Sequence, residues 1–382
     1  MPRAPSRRPR PQAAPSSAAA RAQGPRVAAS GAGAFERLLR RTKSAAERRL
    51  ERAFAARLAA RASLGPELRA VLEAARDLSL RGGKRFRAAL VVSAYRGVSP
   101  RASLGPAIAA GAALELLQSY LLVQDDWMDG DVERRGGPSV HVALERALGQ
   151  GEHAAAVGAV LASDLLWGMA LSELLGSRAE PRALLSACQQ LARFHDDVVT
   201  GQVLDGLAHG ADIEALHALK TGSYTVEGPL TLGAALAGAD GRVLGSLRRF
   251  AAPLGVAFQL RDDLLGVFGT EAEAGRPVGS DLRAGKRTSV ISLALAHADA
   301  PSQRAIEAVL GRRNPPAAAL LRAQRAIEAS GARREVEQRQ AALCDRAARL
   351  AARLPLHGGA REELAGAVAA VRRVPTTQVA KP

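Results

Sequence analysis

This chain is poor in cysteine, aromatic residues and lysine, and each shortage excludes something. Two cysteines in 382 residues, Cys188 and Cys344, make neither a disulfide framework nor a Cys/His metal spacing. That removes the disulfide-built and zinc-built classes and fits a reducing, cytoplasmic setting. Aromatics are only 3% of the chain and alternating β-branched runs are few, so sandwiches and barrels lack their raw material. No G-x-S-x-G elbow, H-E-x-x-H pair, P-loop or dinucleotide fingerprint is present, which sets hydrolase triads, zincins and nucleotide folds aside. No signal-peptide core stands at the N-terminus. The longest apolar stretches, around 107–123 and 154–171, carry Glu115 and Asp164, so they read as buried helices and no transmembrane segment is expected.

What remains is 47% hydrophobic, rich in alanine, leucine and arginine, with apolar residues recurring three and four positions apart. The fold class is therefore all-α, a bundle of long helices. The formal charge of +16 is unevenly spread, because residues 1–35 hold six arginines and no acid. Residues 1–34 read as a disordered basic Pro/Ala/Arg-rich arm, 35–374 as one catalytic domain and 375–382 as a tail. Such an arm suits an organelle leader or a phospholipid or nucleic-acid contact, but a tolerated extension of an arginine-biased chain is preferred, and no nucleic-acid partner is expected.

Two aspartate pairs interrupt this apolar sequence: Asp125-Asp126 in QDDWMDGDVERRGG and Asp262-Asp263 in FQLRDDLLG. Buried carboxylates need a compensating cation, and Mg²⁺ prefers oxygen donors completed by water and phosphate. Gln118, Asp125 and Asp129 fall on one helical face, with Asp126 turned about 100° away toward a supporting or solvated position. Gln259 lies one turn before Asp262 and Asp263, whereas Asp196-Asp197 reads as a surface pair. Of 53 basic residues only Lys43, Lys84, Lys220, Lys286 and Lys381 are lysine, three of them in GGKRFR, LKTGSY and AGKRTS. A compact ammonium beside guanidinium forks, including Arg134-Arg135, suits a diphosphate, and Gly82-Gly83 permits close backbone approach. A diphosphate-handling metal enzyme is the leading expectation.

Taken together and in order, GGKRFR, ELLQSYLLVQDDWMDGDVERRGG, GQVLD, KTGSYTVEGPL, FQLRDD and GSDLRAGKRT resemble the all-trans polyprenyl (isoprenyl) diphosphate synthase family over roughly Phe35 to Arg373. The resemblance implies a helical bundle around a central cavity, usually a homodimer, condensing isopentenyl diphosphate with an allylic diphosphate. It also implies three Mg²⁺, with Asp125 and Asp129 holding two and Asp262 the third, supported by Asp126 and Asp263. Arg134, Lys220 and Lys286 would bind the allylic diphosphate; Gly83, Lys84, Arg87, Gln118 and Arg135 would bind that of isopentenyl diphosphate. Lys220, Thr221 and Gln259 would stabilise the allylic cation. Tyr120 would floor the cavity about 7.5 Å below Asp125, with Leu121 beside it leaving room that favours geranylgeranyl over farnesyl product. Two departures stand out: Gly266 replaces the third aspartate of the second motif, and Arg276 replaces a lysine. A class I terpene cyclase or a non-catalytic partner subunit are the alternatives.

Overall fold

The computed structural model describes residues 24–207 and 218–375. Nearly all of it is helix: α1 (Gly24–Ala60), α2 (Pro66–Leu80), α3 (Phe86–Val98), α4 (Gly105–Met128), α5 (Val140–Leu148), α6 (Glu152–Leu175) and α7 (Pro181–Leu207). A wide-turn π-helix (Ala218–Glu227) leads into α8 (Gly228–Leu236) and α9 (Gly241–Phe268), and the shorter α10 (Glu271–Ala274), α11 (Ser280–Arg283), α12 (Ser289–His297) and α13 (Ala300–Glu307) follow. The chain then runs through α14 (Ala317–Ala329), α15 (Ala332–Ala351) and α16 (Gly358–Arg372).

Helix α4 is the axis of the bundle. Pro106 starts it, and its alanines and leucines are buried around the whole circumference, as expected of a helix enclosed by others. It packs on α6, while α1 packs on α16 and α9 on α15. A large core joins α1 to α9 with α15 and α16, and a smaller one gathers the end of α9 with α12, α14 and α15. Asp240 caps α9 by accepting from the Val243 backbone N–H at 2.8 Å. Among the described residues two helices, α4 and α6, are long and apolar enough to cross a bilayer; 72% of the most apolar window of α4 is buried within the bundle, against 44% for α6.

The described helix already includes residues 24–34, ahead of the expected boundary at Phe35. The reason is tertiary: α1 crosses α16 so closely that a Cβ on Gly366 would stand 2.0 Å from the Gly31 carbonyl oxygen. The other departure from pure helix is a ribbon after α4, β1 (Glu133–Arg134) paired antiparallel with β2 (Gly137–Pro138). Arg135 and Gly136 form its turn with φ of 55° and 72°, the double left-handed geometry of a type I′ hairpin.

Candidate functional site

The two acidic motifs lie near the ends of different helices, and cations of one segment, Arg276 and Lys286, reach both. Asp125 and Asp129 close α4, while Asp262 and Asp263 lie in the last turns of α9. Lys286, in the loop after α11, donates to Asp129 Oδ2 at 2.6 Å. Burial works to lower its pKa, but Asp125 and Asp129 outweigh that and hold the ammonium protonated well above the lysine range. Gln202 on α7 donates to Asp125 Oδ1 at 3.3 Å. Arg276 reaches Asp262 Oδ2 at 3.3 Å and Asp281 Oδ1 at 3.2 Å. Asp263 is buried, accepting from Gln259 Nε2 at 2.6 Å and the Ser289 backbone N–H at 3.1 Å, and burial pushes its carboxyl up to about 6.

Of the two positions expected for Asp126, supporting or solvated, burial excludes the solvated one. It is fully buried and held by Arg134 at 2.5 Å, because the β1–β2 ribbon folds its guanidinium back under the end of α4. The same guanidinium meets Asp131 at 2.9 Å. Asp126 Oδ2 has no hydrogen-bond partner, and burial pushes this carboxyl up to about 6 against the pull of Arg134.

A second cation-rich place adjoins the first. Gly82 and Gly83 both take positive φ, 55° and 81°, so the loop between α2 and α3 turns as only glycine does readily. A Cβ on Gly83 would come within 3.7 Å of the Arg135 guanidinium. Lys84 is exposed beside it, its pKa lowered by partial burial and then by the nearby Arg261 and Arg373. Arg87 stacks over the Tyr224 ring at 4.3 Å and donates to Thr225 Oγ1 at 2.9 Å. Tyr224 in turn donates to Gln118 Oε1 at 2.7 Å. Burial lowers the Arg135 pKa to about 10. Lys220 and Thr221 fall within the π-helix, a conformation often found at functional sites, but their side chains lie outside the described residues.

These donors fit Mg²⁺. Asp125, Asp129 and Asp262 offer hard carboxylate oxygens, and Asp126 has an orphaned buried oxygen behind them. Among the described residues no three acidic or histidine side chains form a ready metal cage, and Mg²⁺ commonly takes only one or two carboxylates with phosphate and water.

Comparison with known proteins identifies the family. The family model for polyprenyl synthetase matches residues 69–327. The chain belongs to the polyprenyl synthetase family. Similar members include a farnesyl diphosphate synthase of Geobacillus stearothermophilus, 34% identical over 69% of this chain and 86% of that protein. A geranylfarnesyl diphosphate synthase of Aeropyrum pernix is 32% identical over 74% and 87%. The crystal structure of geranylgeranyl pyrophosphate synthase from Corynebacterium glutamicum, complexed with isoprenyl diphosphate and magnesium, superposes with a TM-score of 0.81 at 30% identity, covering 87% of this chain and 99% of that one. The polyprenyl synthetase fold is thus the all-α bundle expected from the sequence.

Several residues of this site escaped the sequence reading. Arg85 looks like one more solvated arginine in GGKRFR, yet it is buried and donates to Glu115 Oε2 at 3.0 Å and the Ser79 carbonyl at 2.8 Å. Arg81 fastens the ribbon by donating to the carbonyls of Arg134 and Pro138 at 3.0 and 2.7 Å. Asp281 explains Gly266: a Cβ there would stand 2.0 Å from Asp281 Oδ2, so the space beside the second motif already holds a carboxylate from α11. Asp281 had a signal, since a lone acid sits in GSDLRAGKRT; Arg85 had none.

Proposed function

We propose that this member of the family is a Mg²⁺-dependent prenyltransferase that condenses isopentenyl diphosphate with an allylic diphosphate to a short-chain all-trans prenyl diphosphate, geranylgeranyl ahead of farnesyl. The observation that carries the reading is that cations of one segment reach both acidic motifs, Lys286 on Asp129 and Arg276 on Asp262. The cation group of Lys84, Arg87 and Arg135 would be the place for the second diphosphate.

Asp125, Asp129 and Asp262 would hold Mg²⁺, three ions by family resemblance, which when bound neutralises charge on the departing diphosphate. Lys286 would turn from Asp129 to the allylic phosphate oxygens, and Lys220, by resemblance, would bind them as well. Arg134, already committed to Asp126 and Asp131, would act mainly by fixing the end of α4 and contribute to the anion through its positive field. Lys84, Arg87, Gln118 and Arg135 would receive the isopentenyl diphosphate, with Gly83 allowing close approach. The allylic C–O bond breaks, the isopentenyl double bond attacks the resulting cation, and the proton released goes to the departing diphosphate. Backbone carbonyls near Lys220 and Thr221 and the Gln259 amide oxygen would face that cation. No side-chain base is needed.

A homodimer is the assembly this reading favours. The α6 and α7 helices leave Val157, Val160, Leu161, Leu185, Val199 and Val203 exposed, a face a second copy would cover. A cytoplasmic location accords with the scarcity of cysteine. The function is tested by incubating the full chain with labelled isopentenyl diphosphate and each of three allylic starters, then dephosphorylating and sizing the products. Mg²⁺-dependent incorporation is expected; none with any starter would refute the synthase reading.

A further inference from the structure

Trp127 and Met128 stand inside the first acidic motif, between Asp126 and Asp129, yet both face solvent: Trp127 is 46% exposed and Met128 51%. Val132, just past the motif, is 57% exposed, and Val278, in the loop between α10 and α11, 37%. The only other tryptophan, Trp167, is partly buried in α6.

Arginines join these apolar side chains into one surface. Arg313, in the loop between α13 and α14, lies over Gly130, where a Cβ would stand 2.5 Å from its Nη2. Arg283 donates to the carbonyl of Arg313 at 3.0 Å and to that of Val278 at 3.1 Å. Arg313 is therefore the joint between the loop that carries Trp127, Met128 and Val132 and the segment that carries Val278. Arg287 and Arg312, beside Lys286 and Arg313 in the chain, are also exposed. Among the described residues none of these four arginines makes an ion pair. The acids of the loop cancel little of this charge, because Lys286 holds Asp129 and Arg134 holds Asp131. Glu133 is the remaining exposed acid there.

We propose that this face docks on an anionic phospholipid surface. Exposed tryptophan, methionine and valine gain by leaving water, and uncompensated guanidiniums gain by meeting negative charge. A bilayer with anionic headgroups over an apolar layer satisfies both at once. The indole ring favours that boundary, and arginines close to it are drawn by the negative surface potential. The purpose of such docking rests on the prenyltransferase reading above: the product is an anion on an apolar chain, which a bilayer accepts as it leaves the acidic motifs.

The test uses the full chain carrying Trp167→Phe, so that Trp127 is the sole indole, mixed without substrate or metal with vesicles of phosphatidylglycerol or of phosphatidylcholine. Cosedimentation with phosphatidylglycerol alone is expected, with Trp127 emission moving to shorter wavelength. Salt at about 1 M, where the Debye length is about 3 Å, should release the chain. Arg312→Glu/Arg313→Glu and Trp127→Ser/Met128→Ser should each lower the partition about tenfold or more with circular dichroism unchanged. If the first pair does not fold, Arg312→Gln/Arg313→Gln is read by the same criterion. No binding to phosphatidylglycerol, unshifted Trp127 emission in its presence, or binding that either variant leaves at the wild-type level overturns the proposal. Unshifted emission in a bound chain would assign the vesicles to the arginines of residues 1–23, and no binding at all would leave the face to a protein partner. Label incorporation is measured separately: an active chain that does not dock loses the lipid surface alone, and a chain that docks but incorporates no label loses the prenyltransferase reading alone.

Discussion

Glu115→Leu is the change whose consequence can be worked out most fully. Arg85 has a left-handed backbone, φ 53°, just ahead of α3, and its guanidinium is buried against Glu115 at 3.0 Å, Glu47 at 3.3 Å and the Ser79 carbonyl at 2.8 Å. Arginine cannot shed its proton to escape burial. Removing Glu115 therefore strands a charge that only a partly exposed Glu47 and carbonyl oxygens compensate, a loss of about 3–5 kcal/mol by analogy with broken buried pairs. At roughly 2 °C per kcal/mol for a large domain, the melting midpoint of the purified chain should fall by about 6–10 °C. The same loosening should reach Gly83 and Lys84, raising KM for isopentenyl diphosphate several-fold with a smaller change in kcat. The double variant Arg85→Met/Glu115→Leu fills the space without charge and should recover most of the midpoint. A midpoint within about 1 °C of wild type in Glu115→Leu would refute the buried-pair account, since even an ordinary core change costs about 1 kcal/mol. A double variant less stable than the single would show that shape, not charge, governs the site.

Three further outcomes are expected. Gly266→Asp, which writes back a third aspartate in the second motif, should destabilise the fold by about 1–3 kcal/mol and lower activity, because its Cβ would meet Asp281 Oδ2 at 2.0 Å; higher activity would refute this. Asp263 has neutral hydrogen-bond partners and a carboxyl pushed up to about 6 by burial. A folded pKa above the unfolded one gives stabilisation that is complete below about 4 and lost as pH rises through about 6, so Asp263→Asn should flatten the fall in metal-free stability between pH 4.5 and 7.5, followed by denaturant titration. Leu161→Asp, placed on the exposed face of α6, should shift the chain toward monomer in sedimentation at micromolar concentration; an unchanged mass would move the interface elsewhere.

The sequence by itself determined the helical class and singled out the acidic motifs. Apolar residues three and four apart specify helices locally, and Asp125, Asp129, Asp262 and Asp263 stand out because charge in an apolar helix demands compensation. The few lysines were legible for the same reason, being exceptions in an arginine-biased chain. Tertiary structure decided which of these groups meet. Asp126 turned inward to Arg134, Arg85 went from apparent surface charge to buried staple, and Asp281 took the space that Gly266 leaves open. Tyr120 gained Trp167 and His195 as neighbours. The physical reason is separation along the chain: helical periodicity tells which face a residue occupies, but a contact between distant helices depends on how their faces pack, which no local spacing encodes.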